Sequence, residues 1–244
     1  MIMQIRHRTA LVTGAAKRVG RSIALRLARE GAHIQLHYHT SRQEAETTAA
    51  EIRSLGVSCK LLAADLSDPA EVQRLLDEVR SIGTPDIVVN SASLFYKTPL
   101  GQTDGQDWEK LLDTNLRAPF FISQALGRSM QEKRSGAIVN IADWSGFRPY
   151  RDYPAYCASK GGLITLTRAL ARDLAPDVRV NAVAPGPVLL PPDFTEAEKE
   201  AVTRQTAVGR IGTPEDVASA VAYLLDNDFV NGSVLVVDGG RSIV

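Results

Sequence analysis

Thr13-Gly14-Ala15-Ala16-Lys17-Arg18-Val19-Gly20 follows the apolar run Ala10-Leu11-Val12 and leads into a helical pattern of Val19, Ile23, Ala24, Leu27 and Ala28. A strand that turns through glycines into a helix presents unpaired N–H groups and a partial positive charge beyond the strand end. Glycine permits the tight turn and lets a phosphate approach the backbone. Two glycines in isolation mark only a turn. Here Gly31 stops the helix and a second apolar run, Ala32 to Tyr38, follows, so the loop sits inside a strand–helix–strand unit.

The alternation continues along the chain. A helix is expected from about Arg42 to Leu55, with Gly56 as its stop, then a strand from Val57 to Ala63, and Asp68-Pro69 opens another helix. Ile87 to Val89 reads as the fourth strand, and one long helix is expected from about Trp108 to Lys133. Strands at Ala137 to Ile141, Val178 to Val183 and Val234 to Val237 complete seven. Between them lie a helix from about Tyr153 to Leu174 and one opened by Thr213-Pro214-Glu215. The strands are continuous apolar runs, as expected when crossover helices cover both faces of a parallel sheet. The expected fold is α/β: a Rossmann-type doubly wound, seven-stranded parallel sheet in a single domain covering residues 1–244. Ligands in such sheets bind beyond the carboxyl ends of the strands.

Composition excludes other classes. The 244 residues are 44% hydrophobic and 23% charged, within the range of globular chains. Lys+Arg and Asp+Glu both total 28, so no net charge draws nucleic acid or an anionic membrane. Two cysteines, Cys59 and Cys157, argue against a disulfide framework or a zinc cluster. No apolar run reaches the roughly 18 residues that span a bilayer. The opening MIMQIRHRTA is too short and too basic for a signal peptide, so a cytoplasmic location is expected.

The loop resembles the fingerprint TGxxxGxG of the short-chain dehydrogenase/reductase family, with Arg18 in place of the middle glycine. A site selecting NAD places a carboxylate at the end of the second strand to hold the ribose 2′-hydroxyl. This chain has His37-Tyr38-His39-Thr40-Ser41-Arg42 there, with no acid. Arg18 with His39, Thr40 and Ser41 can instead surround a 2′-phosphate, because a guanidinium pairs with phosphate in a bidentate way. The expected cofactor is therefore NADPH. The alternative is that Arg18 is a solvated charge and the two histidines face water. A metal site on His37 and His39 lacks a third ligand, so none is expected.

Tyr156 and Lys160 stand four apart on one face of an expected helix. Hydride delivery to C=O or C=N leaves charge on the heteroatom, which a proton donor must neutralise. A phenol serves only when a neighbouring ammonium stabilises its phenolate, the role expected of Lys160, along with a contact to the cofactor ribose.

The family resemblance extends over nearly the whole chain. It includes Asp65-Leu66, Asn90-Ser91-Ala92-Ser93 where Asn-Asn-Ala-Gly is usual, Asn115, Pro185-Gly186 and Asp238-Gly239-Gly240. The resemblance implies that Gly14, Val19 and Gly20 hold the pyrophosphate, that Asp65 and Leu66 lie near the adenine, and that Asn90, Ser91 and Ala92 line the cofactor. It further implies that Pro185, Gly186 and Val188 meet the nicotinamide, while Asn115 holds a helix kink and a relay water. A homotetramer packed through residues 108–133, 153–174 and the last strand is the family expectation.

Family members that reduce ketones carry serine thirteen residues before the catalytic tyrosine; here that position is Asp143, with Ser145 as a displaced alternative. A carboxylate repels a developing alkoxide and suits a substrate that presents N–H donors. Asp143, the loop TGAAKRVGRS, the segment LHYHTS and the segment SLFYKTPL together resemble the pteridine reductase subgroup. By that resemblance Ser93, Phe95, Asp143 and Tyr156 contact the substrate, Phe95 by stacking on a flat ring; Trp144 and Tyr150 are further pocket candidates, and Leu94 narrows the pocket. A segment at about 189–212 is expected to cap the substrate. Three readings result: an NADPH-dependent reductase of dihydropterins, extending to dihydrofolate; a carbonyl reductase acting on a 3-oxoacyl thioester or a sugar ketone; and a non-catalytic NADPH-binding protein. The first two take a small-molecule substrate.

Overall fold

A computed structural model of the chain describes residues 4–190 and 194–244. Seven parallel strands form one sheet in the order β3-β2-β1-β4-β5-β6-β7. They are β1 Thr9–Val12, β2 His33–Tyr38, β3 Cys59–Ala63, β4 Ile87–Asn90, β5 Gly136–Ile141, β6 Val178–Pro185 and β7 Val234–Val237. The order reverses between β1 and β4, which leaves a crevice beyond their carboxyl ends.

The α-helices are α1 Arg18–Arg29, α2 Arg42–Ser54, α3 Pro69–Ile82, α4 Gly105–Leu112, α5 Ala118–Glu132, α6 Pro154–Asp173, α7 Glu196–Arg204 and α8 Pro214–Asp226. Side chains alternate across the sheet. Ala10, Val12, Ile87 and Val89 face α1, α2 and α8, whereas Leu11, Val88, Ile138 and Val180 face α3, α5 and α6. Both layers are buried, which is why the strands read as uninterrupted apolar runs.

Two expectations are refined. The helix expected from about Trp108 to Lys133 runs unbroken through α4 and α5, with one π-helical stretch between them, Asp113–Arg117, that contains Asn115. A π-turn accommodates an extra residue and re-aims the side chains around it. The segment expected only as a cap contains α7, started by a reciprocal capping box in which Thr195 and Glu198 satisfy each other's backbone N–H groups. Residues 191–193 of that segment, and 1–3 of the opening ten, lie outside the described residues. No helix among the described residues is long and apolar enough to cross a membrane.

A candidate active site beyond the strand ends

A cleft of about 860 Å³ runs from the glycine loop, past the ends of β1, β4 and β5, to Tyr156 and the segment before α7. Such a volume lies at the upper end for small-molecule and cofactor sites. At the loop, Gly14 has φ +64, and a Cβ there would lie 2.8 Å from the Cα of Ala92. A Cβ on Gly20 would lie 2.3 Å from the Gly14 carbonyl oxygen. Both positions therefore require glycine, and the space kept clear is a backbone cradle at the start of α1 that fits a pyrophosphate. Arg18 adopts φ +56, a left-handed conformation that a branched or long side chain rarely takes. Its exposed side chain lines the cleft beside His39, Thr40 and Ser41.

The two histidines separate. The alternative in which both face water fails for His37, whose side chain is buried beneath the loop. Its Nδ1 accepts from the Gly14 N–H at 3.1 Å, and its Nε2 sits 3.1 Å from the Ala64 carbonyl. Those partners require a neutral ring with the proton on Nε2. Burial drives its pKa down to about 4 against the opposing pull of the Ala64 bond. His39 lies past the strand end, with Nε2 3.6 Å from an Asp65 oxygen. The sequence shows no acid at the end of β2, yet the fold brings Asp65 there from the end of β3. Burial works to raise the Asp65 pKa, but hydrogen bonds from Ser67 and the neighbouring His39 hold it below the usual carboxylate range. No cluster of three or more potential metal ligands occurs among the described residues.

Asp143, at the end of β5, accepts from the Tyr156 hydroxyl at 2.9 Å and from the Ser145 N–H at 2.7 Å. The second bond caps a short 3₁₀ turn, Trp144–Gly146, and fixes the carboxylate's aim. Ser145 is fully buried under this turn, away from the cleft, so it is not a displaced counterpart of the missing serine. Burial, followed by the Asp143 charge, raises the Tyr156 pKa well above its ordinary value. Lys160 is buried, donates to the Ile141 carbonyl at 2.9 Å, and sits 5.7 Å from the centre of the Tyr156 ring. Burial lowers its pKa to about 8, opposed by Asp143. Lys160 thus stands beside the Tyr156 ring, and burial and Asp143 act on the Tyr156 hydroxyl in the direction that favours the protonated phenol.

Asn115 sits in the π-stretch and does not line the cleft. Its amide exchanges bonds with both backbone groups of Leu94, at 2.8 and 2.9 Å, and donates to Ser159 at 3.2 Å. It thus pins the loop that carries Ser93, Leu94 and Phe95 to α6. Asn90 departs from its expected cofactor contact. Its side chain is buried and donates to Asn140 and Ser123, bolting β4 to β5 and α5. The neighbouring Ser91 and Ala92 N–H groups both donate to the Thr13 hydroxyl, a link that sequence reading missed.

Leu66, Val19, Pro185, Gly186 and Val188 line the cleft, with Ser91, Ala92 and Ser93. Phe95 is half exposed at the cleft but already stacks on Tyr153, with ring centroids 4.6 Å apart, and meets Tyr156 edge-on. Tyr150 also lines the cleft, whereas Trp144 lies behind it and donates its indole N–H to the Tyr150 oxygen. Leu189, Phe194 and Val202 contribute from the segment around α7, and Arg241 from beyond β7. Arg241 carries no local motif that would have flagged it.

A family described as enoyl-(acyl carrier protein) reductase matches residues 14–242. The 3-oxoacyl-(acyl-carrier-protein) reductase FabG of Staphylococcus aureus is 36% identical over 241 residues, covering 96% of this chain and 97% of the relative. The FabG of Escherichia coli is 33% identical, covering 99% of this chain and all of its own. A short-chain type dehydrogenase/reductase of Picea abies is 34% identical, covering 96% of this chain and 92% of its own. The reductases among these relatives are named for an acyl thioester and not for a pterin, so the pteridine reductase resemblance stays with Asp143 and the loops. Their identity along nearly the whole chain, joined to the glycine cradle and the Tyr156–Lys160 pair, places it: the chain is an oxidoreductase and belongs to the short-chain dehydrogenase/reductase family.

Proposed function

We propose that this protein is an NADPH-dependent reductase working in the direction of reduction, with Tyr156 as proton donor. The observation that carries this reading is the 2.9 Å hydrogen bond from Tyr156 to Asp143. The bond fixes the hydroxyl in the cleft, and a phenol, protonated at neutral pH, carries there the proton that reduction consumes. The bound cofactor would supply a hydride. The loop from Gly14 to Gly20 would hold its pyrophosphate, Arg18 with His39, Thr40 and Ser41 the 2′-phosphate, and Asp65 with Leu66 the adenine side. The buried Lys160 would meet the ribose, and Val188 the carboxamide. Asn115 holds the Ser93–Phe95 loop against the substrate, and the segment around α7 covers it, with Leu189, Phe194 and Val202 excluding water from the reacting bond.

For the substrate, the relatives support a carbonyl compound, since the FabG relatives are named for 3-oxoacyl-(acyl-carrier-protein) reduction and match nearly end to end. In that reading Tyr156 is the hydroxyl donor at the carbonyl oxygen, and Asp143 orients it through their hydrogen bond. One specific observation favours a second reading, a dihydropterin. Asp143 replaces the serine expected of a ketone reductase and brings a carboxylate that matches the N–H donors of an amino-substituted ring.

The two readings separate on Asp143→Ser. NADPH consumption is followed at 340 nm with 7,8-dihydropterins, dihydrofolate and a ketone panel that includes a 3-oxoacyl thioester. Ketone turnover that persists or rises in the variant, with inert pterins, supports the carbonyl reading. Saturable pterin turnover in the parent, falling by about 10²-fold or more in the variant, reverses the order. Oxidation of alcohols proceeding faster than any reduction at neutral pH would sink the directional claim. Assembly as a homotetramer belongs to the same proposal, and light scattering after size exclusion tests it.

A further inference from the structure

We infer that the substrate end of the cleft contains an anion subsite built on Arg241, so that the substrate carries a carboxylate or phosphate beyond the bond that is reduced. The inference rests on the reductase reading above and specifies the substrate's chemistry within it.

The position of Arg241 is constructed rather than incidental. Asp238, at the end of β7, accepts from the Gly240 N–H at 2.9 Å and the Ser242 N–H at 2.7 Å. Gly239 and Gly240 take φ +65 and +77, which turn the chain back towards the cleft. A 3₁₀ turn, Arg241–Ile243, follows. The guanidinium then lies 5.3 Å from the centre of the Trp144 ring, within reach of a cation–π contact with a buried indole. Trp144 in turn bonds to Tyr150, whose ring meets Phe95 edge-on at 6.3 Å. Arg241 is thus tied by one aromatic layer to the groups around Tyr156.

Its own hydrogen bonding is incomplete. A guanidinium has five N–H donors. Arg241 uses one, from Nη1 to the Val202 carbonyl at 3.3 Å. Among the described residues no carboxylate lies within ion-pair distance of it. Arg210, the neighbouring cation before α8, is by contrast held by both oxygens of Asp216. Arg241 is partly exposed and lines the cleft, and none of its remaining donors is buried out of reach of a ligand there. Of the two carboxylates lining the cleft, Asp143 is already engaged by Tyr156 and Ser145, and Asp65 by Ser67 and His39. A half-buried cation with free, forked donors and a fixed aromatic backing matches a planar carboxylate or a phosphate.

The test uses the protein saturated with NADP⁺, so that the cofactor's own phosphate sites are filled. Benzoate, phenyl phosphate and neutral benzamide are titrated at constant ionic strength, following tryptophan fluorescence and confirming by calorimetry. The expected result is that one anion binds about tenfold or more tightly than benzamide, that Arg241→Gln removes this preference, and that Arg241→Lys restores part of it. Benzoate against phenyl phosphate tells which anion the site takes. Equal affinity of anion and amide, absence of anion binding, or a preference that survives Arg241→Gln would overturn the inference. NADP⁺ affinity in Arg241→Gln checks that the variant is folded. Failure of the parent to bind NADP⁺ would instead overturn the cofactor reading itself.

Discussion

At the scale of single residues, the same protein uses burial in opposite senses. Tyr156 and Lys160 are both desolvated, which favours a protonated phenol and an uncharged amine, the neutral form of each. His37 is the third case and makes the clearest pH prediction. Its folded pKa of about 4 lies below the ordinary histidine value of 6.5. As pH falls below 6.5 the unfolded ring takes a proton while the folded ring does not. The stability due to the neutral ring is therefore full above pH 6.5 and is lost progressively as pH falls towards 4. His37→Gln, which offers an acceptor to Gly14 and a donor to Ala64 without titrating, is expected to flatten this window. Urea midpoints measured between pH 4 and 7 check it, and an unchanged slope would show that His37 is not the group responsible.

At the scale of elements, the π-stretch between α4 and α5 links backbone geometry to the site. It brings Asn115 to the Leu94 backbone, and the three bonds of its amide replace water for groups that are otherwise orphaned there. Asn115→Ala is expected to lower stability by about 1–3 kcal/mol and to raise KM, because the loop bearing Ser93 and Phe95 is no longer tethered. Hydrogen exchange at the Leu94 amide is the direct readout. Protection unchanged from the parent would mean the loop is held by other contacts. Thr13 performs a similar service on the cofactor side, accepting from two N–H groups of the β4 loop.

At the scale of the whole molecule, the far end of the sheet is closed by one side chain. Arg179 on β6 donates to the carbonyls of Leu224, Leu225 and Val230, capping the last turn of α8 and the loop that leads to β7. The Leu224 and Leu225 carbonyls lie in the last turn of α8, where no intrahelical N–H meets them, and a cation at a helix C-terminus also meets a favourable dipole. Arg179→Ala is expected to cost about 1–2 kcal/mol, discounted because the site is only half-buried. The melting temperature is expected to fall by about 2–8 °C. Calorimetry of parent and variant decides, and an unchanged melting temperature would remove the clamp from the account. Because β7 precedes the turn that carries Arg241, loosening this corner is also expected to weaken the anion preference.

The sequence by itself determined the alternation of strands and helices, the glycine cradle and the shared helix face of Tyr156 and Lys160. These depend on spacing of two, three or four residues and on steric rules that act locally. It also located most of the cleft, because residues that follow parallel strands necessarily gather at one edge of the sheet. It gave no sign that the side chains of Asn90 and His37 turn inward to partners on other elements, and hydrophobic periodicity did not register the π-stretch between α4 and α5. Only the tertiary structure decided that Asp143 accepts from Tyr156, that Asp65 crosses from β3 to reach His39, and that Arg241 lies on Trp144 almost a hundred residues away. Each of these is an electrostatic pairing set by burial and distance, and neither quantity exists until the sheet has brought its strand ends together.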